Sequence, residues 1–203
     1  MPEFNTSEVQ ANGLRFHYLE MGEGPLARCL HGFPDSPYSY RYLLTELAEA
    51  GYRAVAPFNR GFAPTELPAE RHHVHSSTMV ADALALHQAL GADDDAVIIA
   101  HDWGAVAAWG AVGQEPERWR RGAILNIPPF AVFGANVFSS EQITRSFYFW
   151  FFQMQQVAEE DHFRNIFFGL PQLAAAIRRC LISAWCHLPL WALISRAFSI
   201  VPK

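Results

Sequence analysis

Apolar and polar positions in this 203-residue chain repeat with two periods, one near two residues and one near 3.6. Val9 to Leu19 reads as two strands around Asn12-Gly13, a dipeptide suited to a tight hairpin turn. The apolar run Leu26 to Leu30 predicts a third strand. Ser36 then stands as an N-cap with Pro37 at the first helical position. Tyr40, Leu43, Leu44 and Leu47 give one apolar stripe, so a helix is predicted to Ala50, stopped by Gly51. Arg53 to Pro57 is a further strand, and Arg60-Gly61-Phe62-Ala63-Pro64 opens a loop. Ser77 to Leu90 has helical periodicity through Met79, Val80, Ala83, Leu86 and Leu90, closed by Gly91. Asp93-Asp94-Asp95 reads as a solvated loop. Val97 to Ala100 predicts a strand, Ala105 to Trp109 a helix, and Ala123 to Asn126 one more strand. Strands alternating with helices at this spacing imply a mostly parallel sheet with helices on both faces.

The junction of the Val97 strand with the following helix carries the first chemical signal. Its residues are Ala100-His101-Asp102-Trp103-Gly104, in the form small-x-acid-x-small. Small residues at 100 and 104 let such a turn close while its central residue is held in a strained conformation above the sheet edge. A carboxylate at that position can attack carbon and form an alkyl-enzyme ester. An ordinary helix N-cap is the competing reading of Asp102. Leu30-His31-Gly32-Phe33-Pro34 supplies a second signal, because it also follows a strand. Ligand sites in open α/β sheets collect at that edge. The amides of Phe33 and Trp103 could together stabilise an oxyanion on the Asp102 ester.

With both motifs in view, the chain resembles the α/β-hydrolase-fold epoxide hydrolases, relatives of the haloalkane dehalogenases, over about residues 9 to 168. The resemblance implies an α/β-hydrolase core at 1–129, here its N-terminal part. Residues 130–203 would be a partial helical cap with a divergent apolar tail. It implies Asp102 as nucleophile and Phe33 and Trp103 as oxyanion hole. His31, Gly32, Pro34, His101 and Gly104 would be motif scaffold. In the family a cap tyrosine donates to the epoxide oxygen. The family pattern Tyr-x-x-Tyr-Phe-Gln falls here on Tyr148 with Phe151-Phe152-Gln153, so Tyr148 inherits that role. Neither a cofactor nor a metal is implied, and the expected partner is a small apolar epoxide.

The resemblance also exposes a gap. The family's acid–histidine pair, which activates the hydrolytic water, lies beyond the matching region. His162 and His187 are the only histidines after Asp102, and neither sits where that base is expected. Asn126 stands where some dehalogenases carry the triad acid. The expectation is a C-terminally truncated member, whose sheet would have an exposed edge prone to self-association. Two rivals stay open: a haloalkane dehalogenase, with the Trp103 indole holding the halide, and a catalytically dead hydrolase-like protein.

Composition narrows the partners. Net charge is −5 and the basic residues are scattered, which argues against nucleic acid. Cys29, Cys180 and Cys186 fit no disulfide framework or metal spacing, so a reduced, cytoplasmic setting is expected. His72, His73 and His75 lack helical ligand spacing. Cys180 to Ser195 is sixteen residues without charge, shorter than the ~20 a spanning helix needs; no membrane anchor is expected.

Overall fold

The computed structural model describes residues 3–67 and 75–147. Tyr148, His162, His187 and the two later cysteines lie outside the described residues. The chain divides into two compact units, residues 1–133 and 134–203. The elements of the first are β1 (Asn5–Ala11), β2 (Leu14–Met21), β3 (Leu26–Leu30), α1 (Arg41–Glu49), β4 (Arg53–Pro57), α2 (Ser76–Ala89), β5 (Val97–His101), α3 (Trp103–Gln114) and β6 (Arg121–Leu125). Helix α4 (Phe130–Asn136) follows. In the second unit, α5 (Ser140–Arg145) starts at Ser139, whose hydroxyl accepts from the Gln142 amide at 3.2 Å.

Six strands form one sheet in the order β1-β2-β4-β3-β5-β6. The β1–β2 hairpin and the β2–β4 pair are antiparallel, and the three remaining pairs are parallel. The expected α/β-hydrolase-like sheet is therefore present, with an antiparallel edge. Among the described residues β6 pairs with β5 alone. No described helix is long and apolar enough to cross a membrane.

Apart from Arg28 and the terminal His101, strands β3 and β5 are runs of apolar or small residues because both of their faces are covered. Helices α2 and α3 pack on one face. Their Ala83, Leu86, Ala105, Ala108 and Ala111 meet Phe16, Leu26, Leu30, Val55 and Ile98 in the main core. Helix α1 packs against β4 and β2, burying Leu43, Leu44 and Leu47 along its predicted stripe.

Several sequence expectations need correction. Ser36 makes no side-chain cap, and Pro37–Tyr40 is a 3₁₀ turn, so α1 begins only at Arg41. That tighter turn buries Tyr40, whose hydroxyl donates to the Leu30 carbonyl at 2.8 Å. Burial pushes the Tyr40 phenol well above its ordinary pKa. Strand β1 starts at Asn5 rather than Val9. Its polar first half is held by main-chain pairing with β2 at the sheet edge, which needs no apolar alternation. Asn126 does not end β6; the strand stops at Leu125 and Asn126 turns away at φ 72°.

Candidate active site

The parallel pairing of β3 with β5 sets Leu30 opposite Ala100, so the segments starting at His31 and His101 leave the sheet side by side. Asp102 joins β5 to α3 with φ 54° and ψ −122°, a sparsely populated conformation for a side-chain-bearing residue that costs about 1–3 kcal/mol. Its carbonyl accepts the first helical amides, from Ala105 at 2.9 Å and Val106 at 3.2 Å. Its side chain makes no cap hydrogen bond. The carboxylate instead reaches across to the other segment, where Oδ1 accepts from the Phe33 amide at 2.8 Å. The N-cap reading of Asp102 therefore fails on geometry.

Two glycines permit this crossing. A Cβ at Gly104 would run into the Leu30 carbonyl and lie 2.7 Å from the His31 carbonyl oxygen. A Cβ at Gly32 would overlap Oδ1 and Cβ of Asp102. Backbone and carboxylate meet where any side chain would intervene, so positions 32 and 104 require glycine for contact rather than for flexibility. Phe33 and Trp103, the residues on either side of this contact, remain 50% and 39% exposed.

His31 is buried and fully engaged. Nε2 accepts from the Asn59 amide at 3.1 Å, which makes Nδ1 the protonated nitrogen, donating to the Gly32 carbonyl at 2.9 Å. The Asn59 side chain adds a bond from Nδ2 to the His31 carbonyl at 2.6 Å, and the Phe62 ring stands edge-on to the imidazole at 4.7 Å. Burial pulls the His31 pKa down, against the opposing effects of the Gly32 carbonyl and of Asp35 and Asp102. His101, partly buried beside Asp102, is also lowered by burial, with Asp102 and Asp35 opposing.

Both histidines are thus held neutral in the fold, and protonation favours the unfolded chain. Their contribution to stability is present above the unfolded histidine value of about 6.5 and is lost as pH falls below it. Thermal melts are expected to show Tm flat near neutrality and falling as the pH drops below about 6.5. A Tm that rises on acidification over this range would contradict the assignment.

The structure brings together Asp102, Phe33, Gly32, His31 and Gly104, the residues the two motifs singled out. Trp103 heads α3 directly after Asp102, and Pro34 follows Phe33 through a cis peptide. Sequence reasoning missed Asn59 and the pair behind it, Arg60 with Asp82. Arg60 grips the Asp82 carboxylate through Nε at 2.7 Å and Nη2 at 2.6 Å, and both side chains are nearly inaccessible. Asn12 of the hairpin turn donates to the same carboxylate at 2.7 Å. An arginine opening the loop after β4 and an aspartate within the otherwise apolar face of α2 were the available signals. Among the described residues no group of His, Cys, Asp and Glu could hold a metal ion.

The mostly parallel sheet carries a strained, inter-loop carboxylate at the carboxyl ends of its strands, the edge where ligand sites collect in open α/β sheets. The family model described as the alpha/beta hydrolase fold matches residues 29–185, and the chain belongs to that family. Among its relatives are epoxide hydrolases. It is 36% identical over 157 residues to the bifunctional epoxide hydrolase 2 of Sus scrofa, a match covering 76% of this chain and 28% of that protein. To an epoxide hydrolase of Caballeronia sordidicola it is 36% identical over 121 residues, or 60% of this chain and 36% of the relative. The crystal structure of an epoxide hydrolase from Vigna radiata matches with a TM-score of 0.60 and 38% identity, covering 62% of this chain and 41% of that one. The chain therefore spans well under half the length of each of these relatives.

Proposed function

We propose that the chain opens small apolar epoxides, with Asp102 as the nucleophile. The observation that carries this reading is the hydrogen bond from the Phe33 amide to Oδ1 of a strained Asp102 at 2.8 Å. A capping aspartate would turn its carboxylate to its own helix; this one is held by a neighbouring loop. The epoxide hydrolases among the relatives name the substrate class.

The hydrogen bond divides the labour between the two carboxylate oxygens. Oδ1 is held by Phe33, so Oδ2 attacks a ring carbon. The ring carbon–oxygen bond breaks with its electrons going to oxygen, and an acid protonates that oxygen. Tyr148 takes this acid role in the reading, by its likeness to the family's tyrosine. The product is a hydroxyalkyl ester of Asp102. Hydrolysis adds water at the ester carbonyl carbon, and the developing charge falls on Oδ1, where the Phe33 amide already donates. Trp103 supplies the second amide in this reading, and collapse releases a diol.

That second step needs a base to take the water's proton. His31 cannot serve, since one ring nitrogen is already protonated and the other accepts from a main-chain amide. Ester formation precedes that base-dependent step, so the ester is an intermediate that a rapid acid quench traps. The test is intact-protein mass after incubation with styrene oxide or a terminal haloalkane. The expected result is one added substrate mass from the epoxide and no halide release from the haloalkane. An alkyl adduct with halide release would move the reading to a dehalogenase. No adduct from either reagent, on folded protein, would remove the covalent mechanism.

A further inference from the structure

Oδ1 of Asp102 is held by the Phe33 amide, and the aim of that amide depends on the peptide planes before it. Those planes are fixed from outside the two motifs. The His31 carbonyl is gripped by Nδ2 of Asn59 at 2.6 Å, and the His31 ring is gripped by the Asn59 main-chain amide at 3.1 Å. One residue thus holds both the ring and the carbonyl of the residue that starts the loop. The ring in turn donates to the Gly32 carbonyl, one peptide before Phe33.

Asn59 is itself anchored from behind. It is buried, and the next residue, Arg60, is clamped to Asp82 of α2 by two bonds of 2.7 and 2.6 Å. Arg60 Nη2 also reaches the Asn12 carbonyl at 3.3 Å. On the other side the Thr65 hydroxyl donates to the Phe58 carbonyl at 2.6 Å. The chain from Phe58 to Thr65 therefore has little freedom, and its one side chain directed at the His31 carbonyl is a carboxamide donor.

We infer that Asn59 is a positioning residue, whose side-chain amide sets the His31–Gly32–Phe33 peptides so that the Phe33 amide meets Oδ1 of Asp102. This rests on the reading of Asp102 as nucleophile. Packing alone asks only for a side chain of this size at position 59. Positioning asks for a donor, so Asn59→Leu, close in volume but without a donor, separates the two.

The experiment measures two things on the full chain and on Asn59→Leu, with Asn59→Ala as a second variant. The first is the rate constant for ester formation with styrene oxide, taken from the mass-resolved time course and kept apart from its amplitude. It is expected to fall by about 10–100-fold, the scale of a displacement of about 1 Å at a reacting group. A merely structural role would lower the amplitude or Tm and leave the rate constant alone. The second is the Phe33 amide proton in a ¹⁵N-correlated NMR spectrum, which needs no substrate. It is expected downfield in the unmodified chain and shifted upfield in both variants as its bond to the carboxylate loosens. A Phe33 amide unmoved in a folded variant overturns the inference, even if the epoxide reading stands. If the unmodified chain forms no ester, the reading of Asp102 fails, and the NMR shift alone decides the inference. If neither variant folds, hydrogen exchange of the Asn59 side-chain amide in the unmodified chain decides. Protection supports the bond to His31, and exchange as fast as in a solvent-exposed asparagine overturns it.

Discussion

Arg28→Met is expected to raise the stability of the fold by about 1–4 kcal/mol, with Tm rising by about 2–4 °C for each kcal/mol in a domain of this size. Arg28 occupies the middle of β3, on the same face of the strand as Leu26 and Leu30, and is fully buried under α2. Its Nη1 donates to the Ala83 carbonyl, and the guanidinium carbon lies 4.8 Å from the centre of the Trp119 ring. Its Nε and Nη2 are buried without an acceptor among the described residues. Burial lowers the guanidinium pKa, as expected for a cation taken out of water without a counter-charge. A methionine follows the same path as the arginine stem and places sulfur near Trp119. The Ala83 carbonyl, inside α2, keeps its helical amide donor. Chemical denaturation of the two proteins measures the difference. A destabilised Arg28→Met would mean that the cation is compensated and is part of what holds the core.

Gly32→Ala is expected to remove ester formation by about 10²-fold or more, the cost of misplacing a reacting group by about 1 Å. The new methyl would occupy the space of Oδ1 and Cβ of Asp102. Something must give: the loop from His31 moves away, or the carboxylate does. Either movement separates Oδ1 from the Phe33 amide, 2.8 Å away in the structure. Overpacking of this kind also lowers stability, by about 1–3 kcal/mol. The mass-resolved time course used above checks the rate, and a thermal melt checks the stability. An alanine variant that forms the ester at the unmodified rate would show that the contact between the two loops is not needed for attack.

Much of this arrangement was legible in the residues themselves. Strands β3 and β4 fall where the short runs placed them, Leu26–Leu30 and Arg53–Pro57, because strands covered on both faces are mostly apolar. The hairpin turn was readable from Asn12-Gly13, both of which take positive φ. The pairing of the two motifs was readable because parallel neighbours deliver their following loops to one edge. What escaped was of three kinds. Elements held by main-chain pairing or tertiary contact leave little periodic signal, as in the polar half of β1 and the 3₁₀ turn before α1. Long-range polar contacts leave none, as when Asn59 meets His31 across 28 positions. Arg28 shows a third limit. A single charge inside an apolar run passes as part of the strand, and only its burial reveals what it costs.

The attack by Asp102 is tested most directly by locating the adduct. The chain is incubated with styrene oxide, quenched, digested and analysed by tandem mass spectrometry, alongside Asp102→Asn. The expected result is one substrate mass confined to fragment ions that contain Asp102 and absent from Asp102→Asn. Substrate mass on another residue, or equal labelling of Asp102→Asn, would contradict it.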